Sequence, residues 1–229
     1  MTTTPSICFE ARDEIGFIQL DDGKANAMRT ESFEALHAAL DQAESCSVKA
    51  LVLRGRQGIF SGGLDLKFLP TLDAESAPLF SRAFAETMLR VWTFPTPTVA
   101  QVTGHAIAGG CVLASACDRR VGLDGAFRYQ MNEHWIGIDL PSWMRAILAT
   151  AWTAPALERL LLMGETFSPE GARSAGMLHD LASDVESLSA TTDAAAAFLA
   201  NLHTANVASY KRRFREPTAK RVLEELDAS

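Results

Sequence analysis

An α/β fold built on parallel strands is what this sequence predicts, and three observations predict it. Twice the chain runs from an apolar strand through a glycine turn into a helix. Ala50-Leu51-Val52-Leu53 leads to Phe60-Ser61-Gly62-Gly63-Leu64-Asp65 and an amphipathic stretch over 74–92; Thr98 to Val102 leads to Ala108-Gly109-Gly110-Cys111, which opens a small-residue helix running to Cys117-Asp118. That order is the grammar of parallel units with right-handed crossovers. The 50–53 run is apolar throughout, as a buried strand requires. Finally, 229 residues at 48% hydrophobic content can bury one substantial core.

The elements follow in order. Ile15-Gly16-Phe17-Ile18-Gln19-Leu20 alternates loosely and is closed by Asp21-Asp22-Gly23, which is strand followed by turn chemistry, and a hairpin with 6–12 is expected. Thr30 is placed to cap a helix whose Phe33, Leu36, Ala39, Leu40 and Ala43 share one apolar face. Pro95 and Pro97 end the 74–92 helix before the next strand. Short strands are expected over 118–122 and 126–131. From Pro141 the pattern is mainly helical, through 154–163, 169–175 and 184–202, with one charged helix over 207–226.

Composition narrows the function. Lys and Arg number 21 against 28 Asp and Glu, and the resulting net charge of −7 repels polyanions, so no nucleic-acid partner is expected. Cys8, Cys46, Cys111 and Cys117 lack the CxxC spacing of a zinc site, and no secretory segment precedes the first strand. The expectation is a soluble cytoplasmic protein without disulfide, structural metal or membrane span.

The glycine loops are where chemistry is expected. Gly62 and Gly63 let the backbone approach a ligand closely, so amides near Leu64 can face inward; the alternative is a plain tight turn. Gly109 and Gly110 stand at a helix N-terminus, where unpaired N–H groups favour negative charge; the alternative is close packing through small side chains. Glu133 follows Asn132 in Met131-Asn132-Glu133-His134-Trp135-Ile136-Gly137, a carboxylate among bulky apolar neighbours. Burial there would raise its pKa and suit it to proton transfer.

Three segments then act together. GRQGIFSGGLDLK at 55–67, TGHAIAGGCVLASACDRR at 103–120 and FRYQMNEHWIGIDLPSWM at 127–144 resemble, in order and spacing, the crotonase superfamily of enoyl-CoA hydratases and isomerases. Weaker likeness extends through 23–28 and 165–170. The resemblance implies a crotonase-like (ClpP/crotonase) spiral of ββα units as a core over 1–182, with a shortened C-terminal helical region over 183–229. It implies an acyl-CoA thioester as substrate, coenzyme A being part of that substrate and no separate cofactor needed, and assembly as a homotrimer or a dimer of trimers.

Within the superfamily, hydratases carry a first glutamate directly after the glycine turn, where this chain has Val112. The Asn132-Glu133 pair, with Gly137 beyond it, is more similar to the Δ3,Δ2-enoyl-CoA isomerases, which act with a single glutamate. The resemblance therefore implies Glu133 as the proton carrier and the Leu64 and Gly109 amides as an oxyanion hole. By the same resemblance Lys24, Ala25, Ala27, Ser61, Gly62, Gly63, Asp65, Leu66, Gly110 and Asn132 bind the substrate. Hydration, hydrolysis and non-catalytic acyl-CoA binding are the alternatives. Phe68, Leu69, Trp135 and Trp143 are either tunnel lining or core, and His105 is structural. Lys211, Arg212, Arg213 and Arg215 either form a solvated helix face or meet coenzyme A phosphates.

Overall fold

The expected hairpin opens the chain: Ile7–Arg12 (β1) pairs antiparallel with Ile15–Leu20 (β2). The computed structural model describes residues 6–228. After a two-residue strand, Ala27–Met28 (β3), comes the helix Thr30–Ser45 (α1), whose buried residues are the five apolar ones whose spacing marks that face. Its cap lies one residue earlier than expected: Arg29 is extended and its N–H donates to Ser32 Oγ at 3.1 Å, so Thr30 is already helical.

Three units then repeat one plan. Ala50–Arg54 (β4) is followed by Gly58–Ser61 (β5) and Gly63–Leu64 (β6), then by the helix Ser76–Thr93 (α2). Thr98–Val102 (β7) and Gly104–Ile107 (β8) lead into Gly109–Ala116 (α3). Arg119–Leu123 (β9) and Tyr129–Gln130 (β10) lead, after a 3₁₀ turn at Glu133–Ile136, to Ser142–Leu148 (α4). The first strand of each unit joins a six-stranded sheet of order β1-β2-β4-β7-β9-β11, parallel except for the hairpin, with Asp180–Ala182 (β11) at its edge. The second strands form a parallel sheet of order β10-β8-β5. This is the expected spiral of ββα units.

Both faces of the large sheet are covered, which is why β4 and β7 are buried along almost their whole length. Leu51 and Leu53 of β4 join the main core with Phe60, Val102 and Leu113. Ala50 and Val52 point the other way, onto Val99, Val121, Leu188, Ala195 and Ala196. The last three residues lie on the helix over 185–200, which covers that face.

The remaining helices are Ala154–Leu162 (α5), Pro169–Ser174 (α6), Val185–Ala200 (α7), Thr204–Phe214 (α8) and Glu216–Asp227 (α9). The single helix expected over 207–226 is thus two. Pro217 stands in the first turn of α9, where a missing N–H costs nothing, and the chain breaks at Arg215. No helix among the described residues is long and apolar enough to cross a membrane.

Within the basic stretch at this break, Lys211 and Arg215 differ from both readings of it. Lys211 is 2% exposed; its Nζ lies 2.6 Å from Asp118 Oδ2 and donates to the Phe94 and Thr96 carbonyls at 2.7 and 3.1 Å. Arg215 donates to Asp118 Oδ1 and to the Trp92 carbonyl, at 2.8 and 2.7 Å. Asp118 also accepts the Thr98 N–H and hydroxyl. Burial pushes the Asp118 carboxyl up, but the Lys211 and Arg215 charges outweigh it and hold it below the usual range. Two cations therefore fasten the C-terminal helices to the end of α2 and the far end of α3, while Arg212 and Arg213 stay exposed.

Removing one member of a buried pair leaves the other without its partner. Lys211→Met is expected to cost about 3 kcal/mol in urea unfolding, whereas Arg212→Ala, on the solvated side, should stay within about 0.5 kcal/mol. Equal effects would show that the clamp contributes nothing.

Candidate active site

The first loop is fixed by hydrogen bonds that reach across strands. Asn26 has a left-handed backbone (φ 49°), which asparagine tolerates better than most residues. Its Nδ2 donates to the Leu20 and Phe60 carbonyls at 2.9 and 3.0 Å, and its Oδ1 accepts the Asp22 N–H at 2.9 Å. The Asp22 carboxylate accepts the N–H groups of Lys24, Asn26 and Ala27. Ser61 closes the arrangement: its hydroxyl donates to the Asn26 carbonyl at 2.7 Å and accepts the Gly63 N–H at 3.1 Å. β3 and β6 pair in parallel, and the Asp65 N–H donates to Met28 at 3.0 Å. Since N–H groups alternate along a strand, that of Leu64 faces away from β3.

The second loop turns into α3 through Ala108, whose φ of 51° and ψ of −124° are uncommon for a residue with a side chain. Its N–H is held by the Gln130 carbonyl at 2.7 Å. Gly109 and Gly110 then begin the helix, where the first amides lack intrahelical acceptors. The two loops touch backbone to backbone. A Cβ on Gly63, which has φ +83°, would lie 2.8 Å from the Gly109 nitrogen; one on Gly110 would lie 2.1 Å from the Ser61 carbonyl oxygen. Only glycine permits either contact.

Leu64 and Gly109 line one cavity together with Asn132 and Glu133. Its other walls are apolar: Leu66, Phe84, Ile136, Ile138 and Met144. Among the described residues that line it, Glu133 is the one charged group. Glu133 is 5% exposed, and its Oε2 has no hydrogen-bond partner. Burial pushes its carboxyl above the usual range, more than the neighbouring N–H groups and His134 lower it. Val112 is fully buried in the main core and does not face this space.

A larger cleft of about 630 Å³ adjoins the cavity and shares Gly62, Leu64 and Leu66 with it. Lys24, Ala25, Ala27 and Asp65, four of the expected substrate-binding residues, line this cleft, as do Arg29 and Lys67, which the sequence did not single out. Ser61, Gly63 and Gly110 line neither opening: the Ser61 side chain is wholly buried and the two glycines serve the contact between loops. In this structure their place is behind the two openings. Trp143 is core, packed edge-to-face on Phe84 at 5.0 Å, and Trp135 is 73% exposed, with its indole N–H on the Gly164 carbonyl. Phe68 and Leu69 pack on the core edge. His105 accepts the Arg128 N–H and lies against Phe127, a structural role as expected. Asn26, Phe84 and Met144 went unread in the sequence; only Asn26, a turn residue after Gly23, left a local signal there.

Comparison with known proteins identifies the family and the fold. The enoyl-CoA hydratase/isomerase family model matches residues 10–229. The human mitochondrial enoyl-CoA delta isomerase 1 is 28% identical over 218 residues, covering 93% of this chain and 72% of that protein. An enoyl-CoA isomerase of Mycobacterium tuberculosis superposes with a TM-score of 0.89 at 32% identity, covering 98% of both chains. An enoyl-CoA hydratase of Mycobacterium marinum does so equally well, at 0.89 and 32%, covering 98% of this chain and 99% of that one. The matched region spans 59% to 72% of the length of the first four curated relatives. The chain belongs to the enoyl-CoA hydratase/isomerase family, and its relatives carry both names.

Two consequences of the geometry are measurable without a substrate. Gly63→Ala adds a Cβ against backbone at a positive φ, and is expected to cost at least about 2 kcal/mol in urea unfolding; an unchanged midpoint would mean that the loops do not touch. Glu133→Gln is expected to stabilise the fold at neutral and alkaline pH. The raised pKa means that the wild type holds the stability of the protonated form at low pH and loses it as pH rises through that pKa, while glutamine loses nothing. The gap should close on acidification, and a variant less stable than wild type at pH 8 would contradict this.

Proposed function

We propose, from the premise of that family membership, that this chain converts a 3-enoyl-CoA into the 2-enoyl-CoA. The observation that carries the reading is a single buried carboxylate, Glu133, unpartnered at Oε2 in an apolar cavity that the Leu64 and Gly109 backbones also line. The thioester oxygen would accept both N–H groups. Glu133, ionised, takes a proton from C2; the electron pair moves through the conjugated system, and charge gathers on that oxygen as a dienolate. Each amide aimed at it would be worth roughly 3 kcal/mol of barrier, by analogy with other oxyanion donors. The same carboxyl then returns the proton at C4, leaving the double bond between C2 and C3. No water is consumed, which fits a chain with Val112 where a second carboxylate would otherwise stand.

The remainder of the thioester would lie in the adjoining cleft, where Lys24, Arg29 and Lys67 offer cations to its phosphates and Ala25, Ala27, Gly62 and Leu66 offer a close apolar and backbone surface. Coenzyme A enters as part of the substrate. Assembly into trimers is proposed on the family resemblance.

Two measurements test the reading. Given 3-enoyl-CoA and 2-enoyl-CoA side by side, the protein should isomerise the first faster than it hydrates the second, and Glu133→Gln should lower isomerisation by at least about 10³-fold; preferred hydration, or full turnover by the variant, would refute it. Because Glu133 must be ionised, kcat/KM should fall on the acid side with an inflection above the ordinary carboxylate range.

A further inference from the structure

We infer that Phe84 and Met144 close the acyl end of the cavity and restrict it to short acyl groups, of about four to six carbons. The inference rests on the acyl-CoA reading above and concerns which acyl-CoA. The cavity offers about 60 Å³ to a water-sized group. At about 10–15 Å³ for each such group, that is room for about four to six, and a methylene is of similar size. The proposed reaction itself needs the first four carbons to lie between the amides and Glu133.

The wall beyond them is rigid. Phe84 is 3% exposed, stacked on Phe33 at 5.5 Å and met edge-on by Trp143 at 5.0 Å. Its ring tip reaches the start of α3 so closely that a Cβ on Gly109 would lie 2.9 Å from Cζ. Held on three sides by Phe33, Trp143 and the start of α3, the ring is fixed in place, and Trp143 is itself 1% exposed. Met144, 5% exposed, completes the wall. The opposite rim is open: Leu66 and Ile136 are 53% and 43% exposed. A longer chain therefore has no buried path, and carbons past the sixth would run over this rim into water.

Burial of a methylene tightens binding about fourfold, and one left in water adds nothing. The experiment is calorimetric binding of saturated acyl-CoAs of four to twelve carbons to the full chain, which involves no turnover. Affinity should rise about fourfold per methylene up to about six carbons and then level off or fall. Phe84→Leu should move the break to longer chains, and Met144→Ala, which leaves the Phe84–Gly109 contact intact, should do the same if the first variant fails to fold. Affinity that climbs steadily to twelve carbons, or a break unmoved in the folded variants, would overturn the inference. Failure of every acyl-CoA to bind would overturn the underlying acyl-CoA reading along with it.

Discussion

Two stretches of main chain lie closer together here than any side chain would permit, and the site depends on that contact. The Ser61 carbonyl occupies the space where a Gly110 side chain would begin, and Gly63 sits against the Gly109 nitrogen. Donors carried by backbone in such contact have no rotamers to lose, so their direction is set before any ligand arrives, which is the condition under which an electrostatic contribution to catalysis is large. The arrangement has a cost in Ala108, held at φ 51° by the Gln130 carbonyl. A residue in so sparse a region persists only where its surroundings over-determine it, at a cost of about 1–3 kcal/mol.

Those surroundings are the fold itself. β5 pairs with β8 and β3 with β6, so both loops leave the same side of small parallel sheets, where ligand sites of α/β proteins gather. α3 is buried along its whole length. Its N-terminus presents Gly109, while Asp118, just past its other end, is gripped by Lys211 and Arg215. The C-terminal helices thus help to fix a helix whose opposite end lines the cavity, although no residue of α8 or α9 lines it.

Periodicity and turn chemistry carried much of this in the sequence. The apolar face of α1, the strands β2, β4 and β7, and the two glycine loops with Glu133 are legible because each follows from a local pattern: a helical spacing, a continuous apolar run, a glycine pair, an acid among bulky neighbours. β3, β6 and β11 are two or three residues long and exist through pairing with distant strands, which no local pattern records. Lys211 and Arg215 looked like a solvated face because a buried cation needs a partner, and the partner, Asp118, sits in another unit. Phe84 and Met144 are apolar positions on helices, and nothing in such a pattern separates a cavity wall from core.

Glu133 shows how burial and reactivity are one property at this site. Apolar walls withhold from its carboxylate the water that would stabilise it, and one oxygen has no donor at all. An anion left in that state is a stronger base than one in solution, and on the proposed reaction the same walls would keep bulk water from intercepting a dienolate. A second carboxylate nearby would change the balance, since each would disfavour ionisation of the other and one would have to stay protonated. With Val112 turned into the core, the cavity holds one group that can take a proton and give it back. On the proposed reaction that is a sufficient set, because the proton removed and the proton delivered belong to neighbouring stretches of the same short chain.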